Sequence, residues 1–276
     1  MTTTTTARTT APRAVSPGLG AAVLTEWTKL FSLRSAYVCV ALAPLIGVGL
    51  SALVALGAGA AGPEALPPGA DPADQAAMLA YLGPVFGVIA LVVLAAQVSA
   101  GEYPDRIRLT LTLHPRRWRV LAAKTAVLAA VSLAVGLVTV FAAFLAAQAV
   151  LDSFDMPTVG LGDADRLRTT LLLGATFPVF PLLTLGLGFL LRGTAGAITA
   201  SLSLMLLPPM FGGLLPPSVQ EHVLRYLPAS AWDNVTGVNP PQAPVHMDPW
   251  AALAVVVCWL ALSLGGALWV LYRRDP

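Results

Sequence analysis

Residues 125–150, TAVLAAVSLAVGLVTVFAAFLAAQAV, decide the fold, because they contain no Asp, Glu, Lys or Arg. A bilayer's hydrocarbon core is about 30 Å thick, and a helix rising 1.5 Å per residue crosses it with about twenty residues. The uncharged apolar stretches long enough to cross are residues 37–57, 79–100, 125–150, 169–191, 194–215 and 250–271. Only helices and closed barrels satisfy every backbone group in lipid, and barrel strands alternate polar with apolar residues. The sequence therefore predicts an all-α polytopic membrane protein with six transmembrane helices.

The composition leaves little for a separate aqueous domain. Hydrophobic residues make up 57% of the chain and charged residues only 11%, against about 25% charged in an ordinary soluble domain. The longest polar segments, 1–36 and 216–249, lack the length and apolar content for a core of their own. Residues 1–18, rich in Thr, Ala and Pro, are predicted to be a disordered tail, and residues 19–276 a single membrane domain.

The basic residues are divided unequally between the two sides of the predicted bundle. Thirteen of the 16 Lys and Arg residues lie on the side of both termini, whereas Arg166, Arg168 and Arg225 lie on the other. Positively charged loops stay in the cytoplasm, so the sequence predicts a multi-pass protein with both termini cytoplasmic.

Residues 19–35 have the pattern of an amphipathic helix lying in the membrane interface. Four apolar residues are predicted on one face and four polar residues on the other: Val23, Trp27, Leu30 and Phe31 against Thr25, Glu26, Lys29 and Ser32. The alternative is a frayed start to the first span. A surface helix that a cytoplasmic partner contacts is the preferred interpretation.

The connection between the second and third spans, residues 101–124, is the most distinctive polar segment. From Arg106 to Leu113 apolar and polar residues alternate, which is typical of a strand. A lone strand would leave both edges unpaired, so we predict a short helix between Pro104 and Pro115 instead. The alternative is a basic loop that only sets topology and binds anionic headgroups.

Within the spans, a few residues stand out as candidates for a transport path or for helix contacts. Gln97 and Gln148 are either hydrogen-bonded between helices or in contact with a substrate. Pro178 and Pro181 should interrupt the fourth span, and Pro208 with Pro209 should kink or end the fifth. Gly83 and Gly87 form a small-xxx-small pattern that permits close helix approach. Residues 219–227 are predicted to form a short helix.

Two motifs resemble the ABC-2 type transporter permeases of high-GC Gram-positive bacteria. They are LTEWTKLFSLRS at residues 24–35, before the first span, and GEYPDRIRLTLTLHPRRWRVLAAK at residues 101–124. The resemblance covers about residues 19–274. The chain departs from the pattern at Pro104, Asp105 and Arg106, where such permeases often carry a Gly-Thr pair.

The resemblance implies a permease subunit in the bacterial cell membrane that dimerises with a second copy or a paralogue and pairs with separate ATP-binding cassette ATPase subunits. The implied ATPase-coupling residues are Glu26, Trp27, Lys29, Arg34, Glu102, Arg106, Arg108, Arg116, Arg117 and Lys124. Gln97, Gln148, Pro208 and Pro209 are candidates for the transport path. The segment after the fifth span would be a re-entrant cap, although an ordinary surface loop is equally consistent with the residues.

The expected function is ATP-driven export of an amphipathic or hydrophobic substrate. The chain has no G-x-x-x-x-G-K-[ST] phosphate loop, so the ATPase is expected on another chain. No catalytic residue, cofactor, metal or nucleic acid is predicted, and membrane lipid is an expected partner. A membrane scaffold or immunity protein of similar topology is the alternative.

Overall fold

A computed structural model of the protein describes residues 18–62, 72–100, 117–239 and 242–273. In these ranges the chain forms helices and no strand. The helices are α1 (Leu19–Ser32), α2 (Arg34–Ala61), α3 (Pro72–Ala100), α4 (Arg117–Asp152), α5 (Ala164–Thr176), α6 (Val179–Leu191), α7 (Thr194–Phe211), α8 (Pro217–His222), α9 (Pro228–Thr236) and α10 (Pro249–Arg273), with 3₁₀ turns at Gly212–Leu214 and Leu224–Tyr226. The predicted tail, apart from Gly18, and the predicted short helix between Pro104 and Pro115 lie outside the described residues.

Six helical segments are long and apolar enough to cross a membrane, which confirms the predicted spans. They are Arg34–Ala61, Asp74–Ser99, Trp118–Asp152, Ala164–Leu191, Thr194–Leu214 and Pro249–Arg273. Most extend beyond the uncharged stretches because the helices continue through the charged residues that flank the hydrocarbon. The chain is therefore an all-helical multi-pass membrane protein.

The fourth span is broken where the sequence predicts it. Helix α5 ends at Thr176 and α6 begins at Val179, so Phe177 and Pro178 form the break. Pro178 has no N–H to donate to the preceding turn, whereas Pro181 lies in the first turn of α6, where a missing donor is tolerated. Phe177 is buried against Gly136 of α4, where a Cβ would lie 2.5 Å from the Phe177 ring.

The antiparallel pair α2 and α3 is held together by small residues. A Cβ on Gly87 would lie 2.6 Å from the carbonyl oxygen of Ala43, and one on Gly83 would lie 2.6 Å from the backbone nitrogen of Ser51. Ser51 Oγ donates to the Ala80 carbonyl at 2.7 Å. The small-xxx-small pattern therefore lies in a backbone-to-backbone contact that larger side chains would separate.

The core lies between α3, α4 and α6. Leu91 and Leu94 of α3, Leu128 of α4 and Leu183 of α6 are almost fully buried, and α6 also packs against α7 and α10. In the second, third and fourth spans, 50–56% of the most apolar 18-residue stretch is buried. In α2, α7 and α10 the buried share of that stretch is only 22–28%. These last three helices therefore form most of the apolar exterior.

Exposed Trp and Tyr residues collect at the two ends of the bundle. We call the end that carries α1 the α1 end, and the opposite end the far end. The exposed Trp and Tyr residues at the α1 end are Trp27, Tyr37, Trp118, Trp269 and Tyr272, and those at the far end are Tyr226 and Trp250. Aromatic side chains with a polar edge favour the membrane–water boundary, so these two belts indicate the two surfaces of the bilayer.

The segment that follows the fifth span differs from the prediction for residues 219–227. Helix α7 continues through Pro208 and Pro209 and ends at Phe211. The predicted helix over 219–227 is wrong, because α8 ends at His222 and a separate 3₁₀ turn follows. Pro217 allows α8 to begin earlier than predicted, and Leu227 is extended because it precedes Pro228.

Candidate functional site

Helix α1 lies against α4 through a line of residues spaced four apart. Ala22, Glu26 and Leu30 are its buried residues, whereas Trp27 is 45% exposed. The predicted division into an apolar and a polar face was therefore wrong for Glu26, whereas the exposed Trp27 contacts Phe31 of the same predicted apolar face. A carboxylate is buried here because basic side chains neutralise it.

Glu26 forms two ion pairs at this contact. Its Oε2 accepts a hydrogen bond from Lys124 Nζ at 2.6 Å, and its Oε1 accepts one from Lys29 Nζ at 2.9 Å. The Lys124 side chain is only 2% exposed, whereas that of Lys29 is 40% exposed. Burial raises the pKa of Glu26, but the charges and hydrogen bonds of the two lysines outweigh burial and the net pKa lies below its ordinary value. The carboxylate therefore stays ionised.

This cluster joins two parts of the chain that are 98 residues apart. Glu26 belongs to the motif before the first span, and Lys124 is the last residue of the basic connection and lies about two turns into α4. Sequence patterns identified each residue separately as a coupling candidate, but no local signal indicated that they form a pair. Their contact fixes α1 onto the third span.

The other predicted coupling residues lie around this cluster or outside the described ranges. The Trp27 ring contacts that of Phe31 at a tilt of 47°, with ring centroids 4.7 Å apart, and the Phe31 and Tyr37 centroids are 5.7 Å apart. Arg34 is exposed at the first residue of α2, and Arg117 begins α4. The predicted coupling residues Glu102, Arg106, Arg108 and Arg116 are not among the described residues.

The candidate path residues do not come together at one site. Gln97 is near the α1 end of α3, whereas Gln148 donates from Nε2 to the Ala76 carbonyl at 3.1 Å, near the other end of that helix. Residues 76 and 97 are about 30 Å apart at 1.5 Å per residue. Gln148 Oε1 also accepts from Val159 N at 2.9 Å, so both ends of this amide are used to join α3, α4 and the following loop. Pro208 is buried and Pro209 exposed at the far end.

A buried asparagine organises the far end, and the sequence did not single it out for this role. Asn234 of α9 is 3% exposed. Its Nδ2 donates to the carbonyls of Ser230 and Val245, at 2.8 and 2.9 Å, and its Oδ1 accepts from Met247 N at 3.0 Å. The side chain thereby holds the segment before α10 onto α9, which packs against α5, α7 and α10.

The neighbouring carboxyl group gives this end a dependence on pH. Asp233 is half-buried in α9, and burial raises its pKa from 3.8 to about 7. The folded protein therefore holds a proton that the unfolded chain releases between about pH 4 and pH 7. The contribution of Asp233 to stability is most favourable at acid pH and falls as the pH rises through this window.

We expect Asp233→Asn to be more stable than the parent at pH 8, by a margin that has largely disappeared at pH 4. Asn has the same shape as the protonated acid but carries no charge at either pH. Thermal unfolding in detergent at the two pH values measures the difference. Asp152→Asn, at an exposed residue of the same end, should change stability equally at both. A gap between Asp233→Asn and the parent that is independent of pH would contradict the assignment.

Comparisons of the sequence with protein-family models and with curated proteins give no match. The case for a function therefore depends on the residues and contacts described above.

Proposed function

We propose that this chain is the membrane-spanning permease subunit of an ATP-binding cassette exporter. The observation that carries the proposal is the Glu26–Lys124 ion pair at 2.6 Å. It connects the interface helix to the helix that leaves the basic connection, and these are the two segments whose motifs resemble ABC-2 type permeases. An ATPase that binds there would act on both elements at once.

Helix α4 is suited to transmit a movement of α1 or of the basic connection through the bundle. It runs over 36 residues from the α1 end to the far end and packs against α2, α3 and α5. A displacement of α1 or of the basic connection therefore changes the packing of the core directly. Closure of two ATPase subunits would shift the helices between an inward-open and an outward-open arrangement.

The positions of the charged residues favour transport driven by ATP hydrolysis on another chain over transport driven by protons or ions. In the described parts of the spans, charged side chains lie within about two turns of a helix end. Carriers driven by protons or ions usually need an ionisable residue deeper in the membrane. In the proposed complex, ATP is hydrolysed on a separate chain, both termini of this chain are cytoplasmic in a bacterial cell membrane, and a second copy or paralogue completes the path. The cargo would be amphipathic or hydrophobic.

The test is purification of the tagged full-length chain from its own host, followed by identification of the proteins bound to it and assay of ATP hydrolysis. We expect an ATP-binding cassette subunit to copurify. Arg116→Glu combined with Arg117→Glu should reduce that recovery severalfold while the permease still inserts.

The matched control is Arg192→Glu combined with Arg273→Glu, which makes the same change of charge at the same end but outside the basic connection. Recovery of the ATPase should be retained in this control. An intact, correctly inserted protein with no ATPase partner would favour the scaffold or immunity alternative. An equal loss of ATPase recovery in both double variants would show that the basic connection only sets the topology.

A further inference from the structure

A cavity of about 260 Å³ opens at the far end of the bundle. Its wall consists of Asp165, Arg168 and Leu172 from α5, of the end of α9 around Val235, and of Pro249, the first residue of α10. Ligand sites for drug-sized molecules usually span about 300–1,000 Å³, so this one suits a smaller group. Its lining includes no residue of the Glu26 cluster and none of the path candidates.

Two opposite charges line the cavity without neutralising each other. Neither Asp165 nor Arg168 forms an ion pair within the described ranges, although they are three residues apart on one helix. The neighbouring Arg166 is not available, because it pairs with Asp74 of α3. Both cavity charges can therefore accept ligand partners without breaking an ion pair between described residues.

The nearby carboxylates are already used to cap helices. Asp163 Oδ1 accepts from the backbone N–H of Asp165 at 3.1 Å, and Asp248 Oδ1 accepts from that of Trp250 at 2.9 Å. Arg168 remains the cation of the cavity wall and Asp165 its anion. A ligand that satisfies both must carry a negative and a positive group a short distance apart.

The cavity lies at the level of the membrane surface. Pro249 precedes Trp250, which is 79% exposed and belongs to the far-end aromatic belt. At the start of α5, the exposed N-cap residue Asp163 and the exposed Asp165 are followed about two turns later by the exposed Leu171. The wall therefore passes from water to lipid along its length, with Leu172 and Val235 as apolar lining.

We propose that this cavity binds a phosphoethanolamine headgroup, with Arg168 contacting the phosphate and Asp165 the ammonium. A guanidinium donates paired N–H groups to phosphate oxygens, and a carboxylate accepts from the N–H groups of a primary ammonium. The acyl chains or glycerol of the ligand would leave past Leu172 toward the apolar exterior. Asn234 and Thr236, each 3% exposed, give the cavity a rigid floor because their own hydrogen bonds are made within the chain.

The experiment uses the full-length protein purified in detergent and stripped of lipid. Native mass spectrometry measures its binding of dioleoyl phosphatidylethanolamine, dioleoyl phosphatidylcholine and dioleoyl phosphatidylglycerol. Phosphatidylethanolamine should bind about tenfold more tightly than the other two, because choline has no N–H for Asp165 and phosphatidylglycerol has no cation. Equal binding of the three lipids would overturn the proposal.

The variants separate the two contacts. Arg168→Gln should weaken phosphatidylethanolamine binding about tenfold, and Arg168→Lys should recover part of it. Asp165→Asn should lower phosphatidylethanolamine binding to the level of phosphatidylcholine and leave phosphatidylcholine unchanged. Asp152→Asn and Arg192→Gln, which are exposed outside the cavity, are the matched controls. Unchanged lipid preference in the two cavity variants would refute the assignment.

A competition with glycerophosphoethanolamine identifies the source of the headgroup. Displacement of the lipid would show that the headgroup chemistry is sufficient and that a free zwitterion also binds. Retention of the lipid would show that the acyl chains are required. In both outcomes the headgroup contacts Asp165 and Arg168, and the competition separates only a free zwitterion from a lipid as its source. Neither outcome depends on the proposed transport function.

Discussion

Glu26→Gln is expected to destabilise the folded protein by about 3–5 kcal/mol, the usual cost of removing one partner of a buried ion pair. The Lys124 side chain is 2% exposed and would lose the carboxylate that lies 2.6 Å away. The effect should be largest near neutral pH, because the pKa of Glu26 is below its ordinary value of 4.5. The stabilising contribution of Glu26 is present above pH 4.5 and is lost as the pH falls through the lowered pKa. Unfolding in detergent at several pH values measures both the loss of stability and its dependence on pH.

The second lysine of the cluster provides the control. Lys29 contacts the same carboxylate, but its side chain is 40% exposed. Lys29→Gln should therefore cost less than about 1 kcal/mol. The double variant Glu26→Gln with Lys124→Met, which removes both buried charges, should recover much of the stability lost by Glu26→Gln alone. Equal costs for Glu26→Gln and Lys29→Gln would show that the buried pair contributes little.

Gly87→Ala should separate α2 from α3 and destabilise the protein by about 1–3 kcal/mol, which is typical of overpacking. The new Cβ would lie 2.6 Å from the Ala43 carbonyl oxygen, and a backbone atom cannot move aside as a flexible side chain can. Gly83→Ala should have a similar or larger effect, since its Cβ also meets Ser51, which donates to the Ala80 carbonyl. Thermal unfolding in detergent measures the loss.

Gly49 and Gly57 of α2 are the matched controls, because a Cβ at either position meets no atom within 4 Å. Their replacement by Ala should leave stability unchanged or slightly increased, since Ala favours a helix over Gly. If all four glycine variants behaved alike, the small-xxx-small contact would not be what holds α2 against α3.

The sequence was a reliable guide wherever one local property decides the structure. Six spans were predicted because uncharged runs of this length have few other stable structures, and helical segments cover nearly all of each run. The break at Pro178 was predicted from the missing N–H of proline, but the same property did not interrupt α7, which continues through Pro208 and Pro209. The helix predicted over 219–227 rested on three apolar residues, Val223, Leu224 and Leu227, which are a weak pattern. It was wrong because the prolines on either side set the helix boundaries instead.

The candidate site was predicted only as separate residues. Glu26, Lys29 and Lys124 were all named, but Glu26 was placed on a solvated face, since a carboxylate without a known partner is expected to stay in water. Asn234 and Asp233 received no structural role, because nothing adjacent in the chain shows that the segment before α10 packs on α9. Similarly, the amide of Gln148 gave no indication that it joins Ala76 and Val159.

By itself, the sequence determined the number of spans, their order and the side of the bundle on which each charged loop lies. These depend on hydropathy and charge within single segments, because each helix must satisfy its own backbone in lipid before it meets another. Tertiary structure alone decided that Lys124 neutralises Glu26, that Gly83 and Gly87 lie against α2, and that the charges of Asp165 and Arg168 face one cavity. Such contacts join residues far apart in the chain, and their free energy depends on distance and burial, which exist only after the helices have packed.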